Sequence, residues 1–294
     1  MRSEQLERIH NGRGFIAALD QSGGSTPKTL KLYGLDESKY SNEAEMFDLV
    51  HAMRTRIITS PSFTSQRILA VILFEETMNR SIESLSSAEY LWKIKGIPTF
   101  LKVDNGLAGE SNGVQLMKDI PQLSSRLESA LAHNVIGTKM RSVIKSANPE
   151  GINAILDQQF QLAKEIIAQG LLPIIEPEVD INSPEKAEAE VLLHAGLKVR
   201  LNALPEESKV MLKLTLPEKT NLYKDLISIS NIVRIAALSG GYSRGEANRR
   251  LALNDGLIAS FSRALTEGLT AQQSEDDFDT TLDKSIESIF LASH

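Results

Sequence analysis

The stretch Ser208-Lys-Val-Met-Leu-Lys-Leu-Thr-Leu-Pro217 decides how this chain is read. Val210, Met211, Leu212, Leu214 and Leu216 form a nearly unbroken apolar run of strand length. A short continuous apolar run between turn signals suits a strand buried on both faces, as in a parallel sheet. Lys213 stands in the middle of the run. An ammonium in a dry segment is costly unless it is paired or loses its proton, and desolvation favours the neutral amine. A neutral amine in an enclosed site is what Schiff-base chemistry on a carbonyl requires. The plainer reading is a lysine at a strand end whose ammonium snorkels to water. The surrounding chain has to decide between them.

On either side of this run, short apolar segments alternate with longer ones of helical period, the pattern of βα units around a parallel sheet. The spacing predicts strands over Gly14–Leu19, Ile68–Phe74, Pro98–Val103, Val135–Met140, Leu171–Ile175, Val210–Leu214, Ile232–Leu238 and Leu257–Phe261. Eight such runs close most economically into one α/β domain, a (β/α)8 TIM barrel over residues 1–294. Helix punctuation agrees with it. Asn42 with Glu45, Ser86 with Glu89, and Ser243 with Glu246 have capping-box spacing. Asn148-Pro149 and Ser183-Pro184 place an N-cap before a first-turn proline, and Gly96 and Gly170 stand where a left-handed C-cap is expected. The segment 270–294 is acidic through Asp279, then places Leu282, Ile286, Ile289 and Phe290 at helical spacing. It reads as a final helix on the barrel exterior with a solvated start.

Of the 294 residues, 41% are hydrophobic and 24% charged, and the net charge is -6. That balance carries no footprint for nucleic acid or a membrane surface. There is no cysteine, which excludes disulfides, thiolate metal sites and a cysteine nucleophile. Met-Arg-Ser-Glu-Gln-Leu-Glu-Arg lacks the apolar core of a signal peptide, and no apolar run approaches membrane-spanning length. The expected setting is cytoplasmic. A homo-oligomer is left open.

In a barrel, chemistry sits at the C-terminal ends of the strands. Here those ends carry Asp20 to Ser25, Glu75 and Glu76, Lys102 and Asp104, Lys139 and Arg141, Glu176 and Glu178, Lys213 and Thr215, Ser239-Gly240-Gly241, and Ser260, Ser262 and Arg263. Ser239-Gly240-Gly241 frees backbone N–H groups for an oxyanion, and Ser262-Arg263 adds a hydroxyl and a guanidinium on the next strand. Loops after strands seven and eight are where barrels often hold phosphate. Ser22-Gly23-Gly24-Ser25 with Lys28, joined by Lys102, reads as a second anion site across the mouth, which suggests a bisphosphorylated substrate. Glu176 ends an apolar run and is the candidate proton shuttle for loss of water from a carbinolamine. Lys139 is expected to help keep Lys213 neutral where the two converge. The alternative is a ring of structural ion pairs lining the mouth.

At these residues the sequence resembles class I fructose-1,6-bisphosphate aldolase, in its shorter bacterial branch. The matching pieces run in order: Gly14-Phe-Ile-Ala-Ala-Leu-Asp-Gln-Ser-Gly-Gly-Ser25, Ile72-Leu-Phe-Glu-Glu-Thr77, Leu101-Lys-Val-Asp-Asn-Gly106, Gly137-Thr-Lys-Met-Arg141, Ile175-Glu-Pro-Glu178, Met211-Leu-Lys213, Leu238-Ser-Gly-Gly241 and Phe261-Ser-Arg-Ala-Leu265. The resemblance implies Lys213 as the Schiff-base lysine, Glu176 as acid/base in imine formation, Asp20 in carbon–carbon cleavage and Lys139 assisting it. It implies Ser239, Gly240 and Arg263 at the ketone-side phosphate, and Ser22, Ser25 and Lys102 at the distal one. The reaction implied is reversible cleavage of fructose 1,6-bisphosphate to dihydroxyacetone phosphate and glyceraldehyde 3-phosphate, with a sugar phosphate as the small-molecule partner and no cofactor.

The sequence departs from the animal branch at three places. Gln21 stands for a glutamate, Thr29 for an arginine near the distal phosphate, and the chain ends Ala292-Ser-His294 where the animal tail ends in a tyrosine that serves proton exchange on the enamine. Three rivals stand beside this reading. A zinc-dependent aldolase would need histidine ligands, and none of His10, His51, His133, His194 and His294 falls at a predicted strand end. A Schiff-base aldolase for another sugar phosphate would show one anion site. A silent sugar-phosphate-binding barrel would have no use for Lys213, Glu176 and Asp20 together.

Overall fold

The computed structural model describes residues 2–293; Met1 and His294 lie outside them. Eight parallel strands form a closed ring: β1 (Phe15–Leu19), β2 (Ile68–Leu73), β3 (Thr99–Lys102), β4 (Gly137–Ile144), β5 (Leu172–Val179), β6 (Val210–Thr215), β7 (Ile232–Leu238) and β8 (Leu257–Phe261). Each pairs with its sequence neighbour, and β8 returns to β1 with Ile16 opposite Ser260. This is the (β/α)8 barrel expected from the apolar runs.

Alternation along each strand separates two cores. Ile16, Ala18, Ala70, Ile72, Phe100, Leu172, Ile174, Met211, Ala236 and Ile258 point inward and form a cluster of their own. Ile9 of α1 (Arg2–Asn11) joins that cluster, so α1 closes the N-terminal end. The other strand residues pack against the outer helices. Fully burying one aliphatic side chain of this size contributes about 1.5–3 kcal/mol, so the interior row is a strong constraint on register. The inward positions above it, at the C-terminal ends, are the polar ones.

β4 and β5 run further than the apolar runs predict, pairing continuously from Gly137 opposite Leu172 to Ile144 opposite Val179. A short antiparallel strand, Val114–Gln115, adds to the end of β4. Arg141, Glu176 and Glu178 therefore lie within strands and not just past them. The predicted strand stops before Glu176-Pro177-Glu178, but the ladder to β4 continues across all three.

The helices that follow in order are α2 (Thr26–Leu32), α3 (Glu43–Thr59), α4 (Glu75–Asn79), α5 (Ser87–Lys93), α6 (Leu123–Ala132), α7 (Pro149–Ala168), α8 (Lys186–Asn202), α9 (Arg244–Leu251), α10 (Arg263–Thr266) and α11 (Glu275–Ala292). Asn42, Ser86, Asn148 and Ser243 each accept the expected N-terminal amide, and Gly96 and Gly170 adopt φ of 68° and 76°. Ser183 does not cap α8. Its Oγ accepts from the Glu185 amide and donates to the Lys145 carbonyl, and the helix starts after that turn at Lys186. The unit after β6 has only a 3-10 turn, Lys224–Ser228, in place of a helix. α11 buries Leu282, Ile286 and Ile289, with Phe290 partly covered, and leaves its acidic first turn exposed. Asp283 and Glu287 hold Arg67 at 2.6 and 3.0 Å. No helix among the described residues is long and apolar enough to cross a membrane.

Candidate active site

The inward rows converge at the C-terminal end on four charged side chains. β6 presents Lys213 two residues above Met211, β5 presents Glu176 two above Ile174, β4 presents Lys139, and Asp20 follows directly on β1. All four are almost fully enclosed, at 5% exposure for Lys213, 3% for Glu176, 2% for Lys139 and 7% for Asp20. They form a chain of alternating charge. Lys213 Nζ lies 3.0 Å from Glu176 Oε1, Lys139 Nζ 3.1 Å from Glu176 Oε2, and Lys139 Nζ 2.7 Å from Asp20 Oδ2. A carboxylate thus separates the two lysines, where the sequence alone suggested lysine against lysine. The 3.1 Å contact is close enough for charge attraction but lacks hydrogen-bond geometry, so Glu176 Oε2 is a buried acceptor without a hydrogen-bond partner.

The electrostatics follow from the alternation. Burial acts to raise the Asp20 carboxyl, but Lys139 and then Lys213 outweigh it and hold the group far below the usual carboxylate range. Burial acts to lower the Lys139 ammonium, but Asp20, Glu176 and Asp104 outweigh it and keep the cation charged. Gln159 of α7, fully buried, accepts the Glu176 amide at 2.8 Å and fixes the backbone beneath that carboxylate. Nothing in the sequence marks Gln159, because its partner comes from the next element.

These groups form the floor of a cleft of about 840 Å³ whose lining includes Ser22, Ser25, Lys102, Arg141, Ser239, Gly240, Ser262 and Arg263. Gly241 does not line it, yet its geometry serves the same loop. With φ of 61° and 125°, Gly240 and Gly241 occupy backbone regions that favour glycine. A Cβ on Gly240 would lie 2.6 Å from Ile181 Cγ2, and one on Gly241 would lie 3.6 Å from Arg263 Nη2. The Gly-Gly loop and Arg263 are therefore neighbours.

The loop after β1 is a correction. Because β8 closes onto β1, Ser22 to Ser25 sit beside the β8 loop and not across the mouth from it, and Gln21 Nε2 donates to Ser262 Oγ. Lys102, on β3, pairs with Asp104 at 2.7 Å, and burial outweighs that pairing and lowers its ammonium. Arg141 pairs with Glu178 at 2.5 Å. Sequence reasoning passed over Lys118, Asn105 and Arg126, which line the cleft from the segment after β3 and from α6. Ser260, named at its strand end and given no role, also lines the cleft, and its Oγ has no hydrogen-bond partner. Among the described histidines, His10 belongs to α1 at the closed N-terminal end, and His51, His194 and His133 belong to α3, α8 and the end of α6.

A family model described as Fructose-bisphosphate aldolase class-I matches residues 3–217. The chain belongs to the class I fructose-bisphosphate aldolases. A curated relative from Synechocystis sp., named Fructose-bisphosphate aldolase class 1, is 61% identical to this aldolase over 290 residues, 99% of this chain and 97% of its own. That span carries the likeness past residue 217 and through the β7 and β8 loops. Among solved structures, a fructose-bisphosphate aldolase from Plasmodium falciparum, crystallised in complex with TRAP and a small-molecule inhibitor, superposes with a TM-score of 0.81 at 19% identity, covering 99% of this chain and 93% of that one. At that identity the likeness speaks to the fold. The aldolase barrel is thus shared with a distant relative, and the activity is that of its family.

Proposed function

We propose that Lys213 is the nucleophile of this class I aldolase, that Glu176 and Asp20 move its protons, and that Lys139 holds the two carboxylates in place. The supporting observation is the alternating chain Lys213–Glu176–Lys139–Asp20, with links of 3.0, 3.1 and 2.7 Å on the floor of the cleft. The amine of Lys213 adds to the C2 carbonyl of fructose 1,6-bisphosphate. Glu176, at its side, protonates the departing hydroxyl so that water leaves and an iminium forms. Asp20 takes the proton of the C4 hydroxyl as the C3–C4 bond breaks. The bond's electrons move into the iminium as an enamine, and glyceraldehyde 3-phosphate departs. Protonation of the enamine at C3 and hydrolysis of the imine then release dihydroxyacetone phosphate and restore Lys213. Ser239, the Gly240-Gly241 loop and Arg263 are placed in this reading at the ketone-side phosphate. Ser22, Ser25, Lys102, Arg141 and Ser262 belong to the remaining polar wall, where a second phosphate and the sugar hydroxyls bind.

The test is direct. Incubation with dihydroxyacetone phosphate, reduction with borohydride and peptide mapping should give one stable adduct, on Lys213, with cleavage activity that survives a chelator. An adduct on another lysine, or activity lost to the chelator and restored by zinc, overturns the assignment.

A further inference from the structure

Arg54 of α3 is the largest fully buried side chain outside the catalytic cluster, at 1% exposure. Among the described residues no carboxylate forms an ion pair with its guanidinium. Its donors go instead to two neutral acceptors: Nη1 to Thr77 Oγ1 at 2.6 Å and Nη2 to the Gln21 carbonyl at 2.5 Å. Nε is buried without a partner. Burial, set against the more distant Asp20 carboxylate, pulls the guanidinium down to about 10. A buried cation of this kind is a poor way to stabilise a fold, since apolar replacement of buried ionic groups is often neutral or stabilising. Stability alone does not account for it.

Its contacts suggest what does. Gln21 is the residue after Asp20, and Thr77 lies in α4 at the end of β2. One rigid guanidinium fork therefore ties the Gln21 carbonyl, one residue beyond Asp20, to the neighbouring strand end. The Gln21 side chain in turn donates to Ser262 Oγ, beside Arg263. Ser22 follows, its carbonyl accepting from the Ser25 hydroxyl at 2.9 Å, and Gly23 and Gly24 after it have open space where a Cβ would be, so no side chain of those two residues packs against the loop.

We propose that Arg54 is a positioning residue for carbon–carbon cleavage: by holding the Gln21 carbonyl it sets the Asp20 carboxylate against Lys139 and keeps the loop after β1 seated on β8. This rests on the role given to Asp20 above. A group displaced by about 1 Å from its working geometry can lose about a hundredfold in rate, so the expected loss falls on the cleavage step. Formation of the imine at Lys213 depends on Glu176 and is expected to persist.

The experiment compares Arg54→Met, Arg54→Lys and Asp20→Asn for kcat and KM with fructose 1,6-bisphosphate, for the rate of borohydride trapping with dihydroxyacetone phosphate, and for thermal midpoint. Arg54→Met is expected to fold, to lose at least about tenfold in kcat, and to keep trapping with dihydroxyacetone phosphate within about threefold of the parent. A parental kcat overturns the proposal, as does an equal loss in trapping and cleavage, which would mark a purely structural role. Should Arg54→Met not fold, Arg54→Lys decides, because it keeps the charge but reaches only one of the two acceptors. Parental cleavage in that variant overturns the proposal, and reduced cleavage with intact trapping supports it. Parental cleavage by Asp20→Asn removes the premise, whereas an inactive Asp20→Asn beside a fully active Arg54→Met overturns this inference alone.

Discussion

Replacing Lys139 with Met removes the cation between two buried carboxylates, Asp20 at 2.7 Å and Glu176 at 3.1 Å. Glu176 keeps Lys213 at 3.0 Å, so the unmet charge falls mainly on Asp20. Breaking a buried pair by deleting one partner costs about 3–5 kcal/mol, and the retained Lys213 contact argues for the lower end, about 3. For a chain of this size that lowers the thermal midpoint by about 6–12 °C. The pH dependence has a definite sign. In the parent the folded-state Asp20 carboxyl is depressed, so its contribution is present above the unfolded value of about 3.9 and is lost only as pH falls through the much lower folded value. With Lys139 gone, burial is the largest influence on Asp20 and only Lys213 and Lys102 oppose it, so the folded value is expected to rise above the unfolded one. The variant then loses stability as pH rises through that value. The gap between parent and variant is therefore largest at neutral and higher pH and narrows towards about pH 4, where the orphaned carboxylate takes a proton. Urea unfolding of both proteins at about pH 8 and about pH 5 measures it. A gap below about 1 kcal/mol at the higher pH, or one of the same size at both, would refute the charge chain as described.

Arg263→Ala removes an exposed guanidinium from the rim of the cleft while leaving Lys213 and Glu176 untouched. A charge-assisted hydrogen bond contributes about 1.5–3 kcal/mol, so KM for the phosphorylated ketose should rise by about 10–150-fold with borohydride trapping retained. An unchanged KM would show that the ketone-side phosphate binds elsewhere. Gly170→Ala places a side chain at φ of 76° just past α7, at a cost of about 1–2 kcal/mol. That turn leads into the start of β5, at the end of the barrel away from the cleft. The midpoint should drop by about 2–8 °C with kcat unchanged. A loss of kcat with no change in midpoint would contradict the placement.

Much of this was legible in the chain. Apolar runs of strand length mark all eight strands, because a strand buried on both faces has no polar side to dilute the signal. Three features were hidden. β4 and β5 continue through prolines and charged residues because each supplies the other's ladder, and that pairing has no local signature. Gln159 and Arg54 anchor the backbone beneath Glu176 and beyond Asp20 from outer helices, where a glutamine and an arginine read as ordinary surface residues. The loop after β1 lies beside the β8 loop because the ring closes there, a relation between residues about 240 positions apart that loop chemistry does not encode.

The chain's own chemistry is enough to place an amine in a dry strand, acids and bases at neighbouring strand ends, and a glycine pair where a backbone must approach an anion. Each follows from a local rule of burial, alternation or steric freedom. Closure of the barrel decides the rest. It sets Glu176 between Lys213 and Lys139, gives Asp20 a cation instead of water, and leaves Glu176 Oε2 without a hydrogen-bond partner on the cleft floor. The energies of such charges depend on distances of about 3 Å in a medium where burial and attraction nearly cancel. Only the register of eight strands supplies those distances.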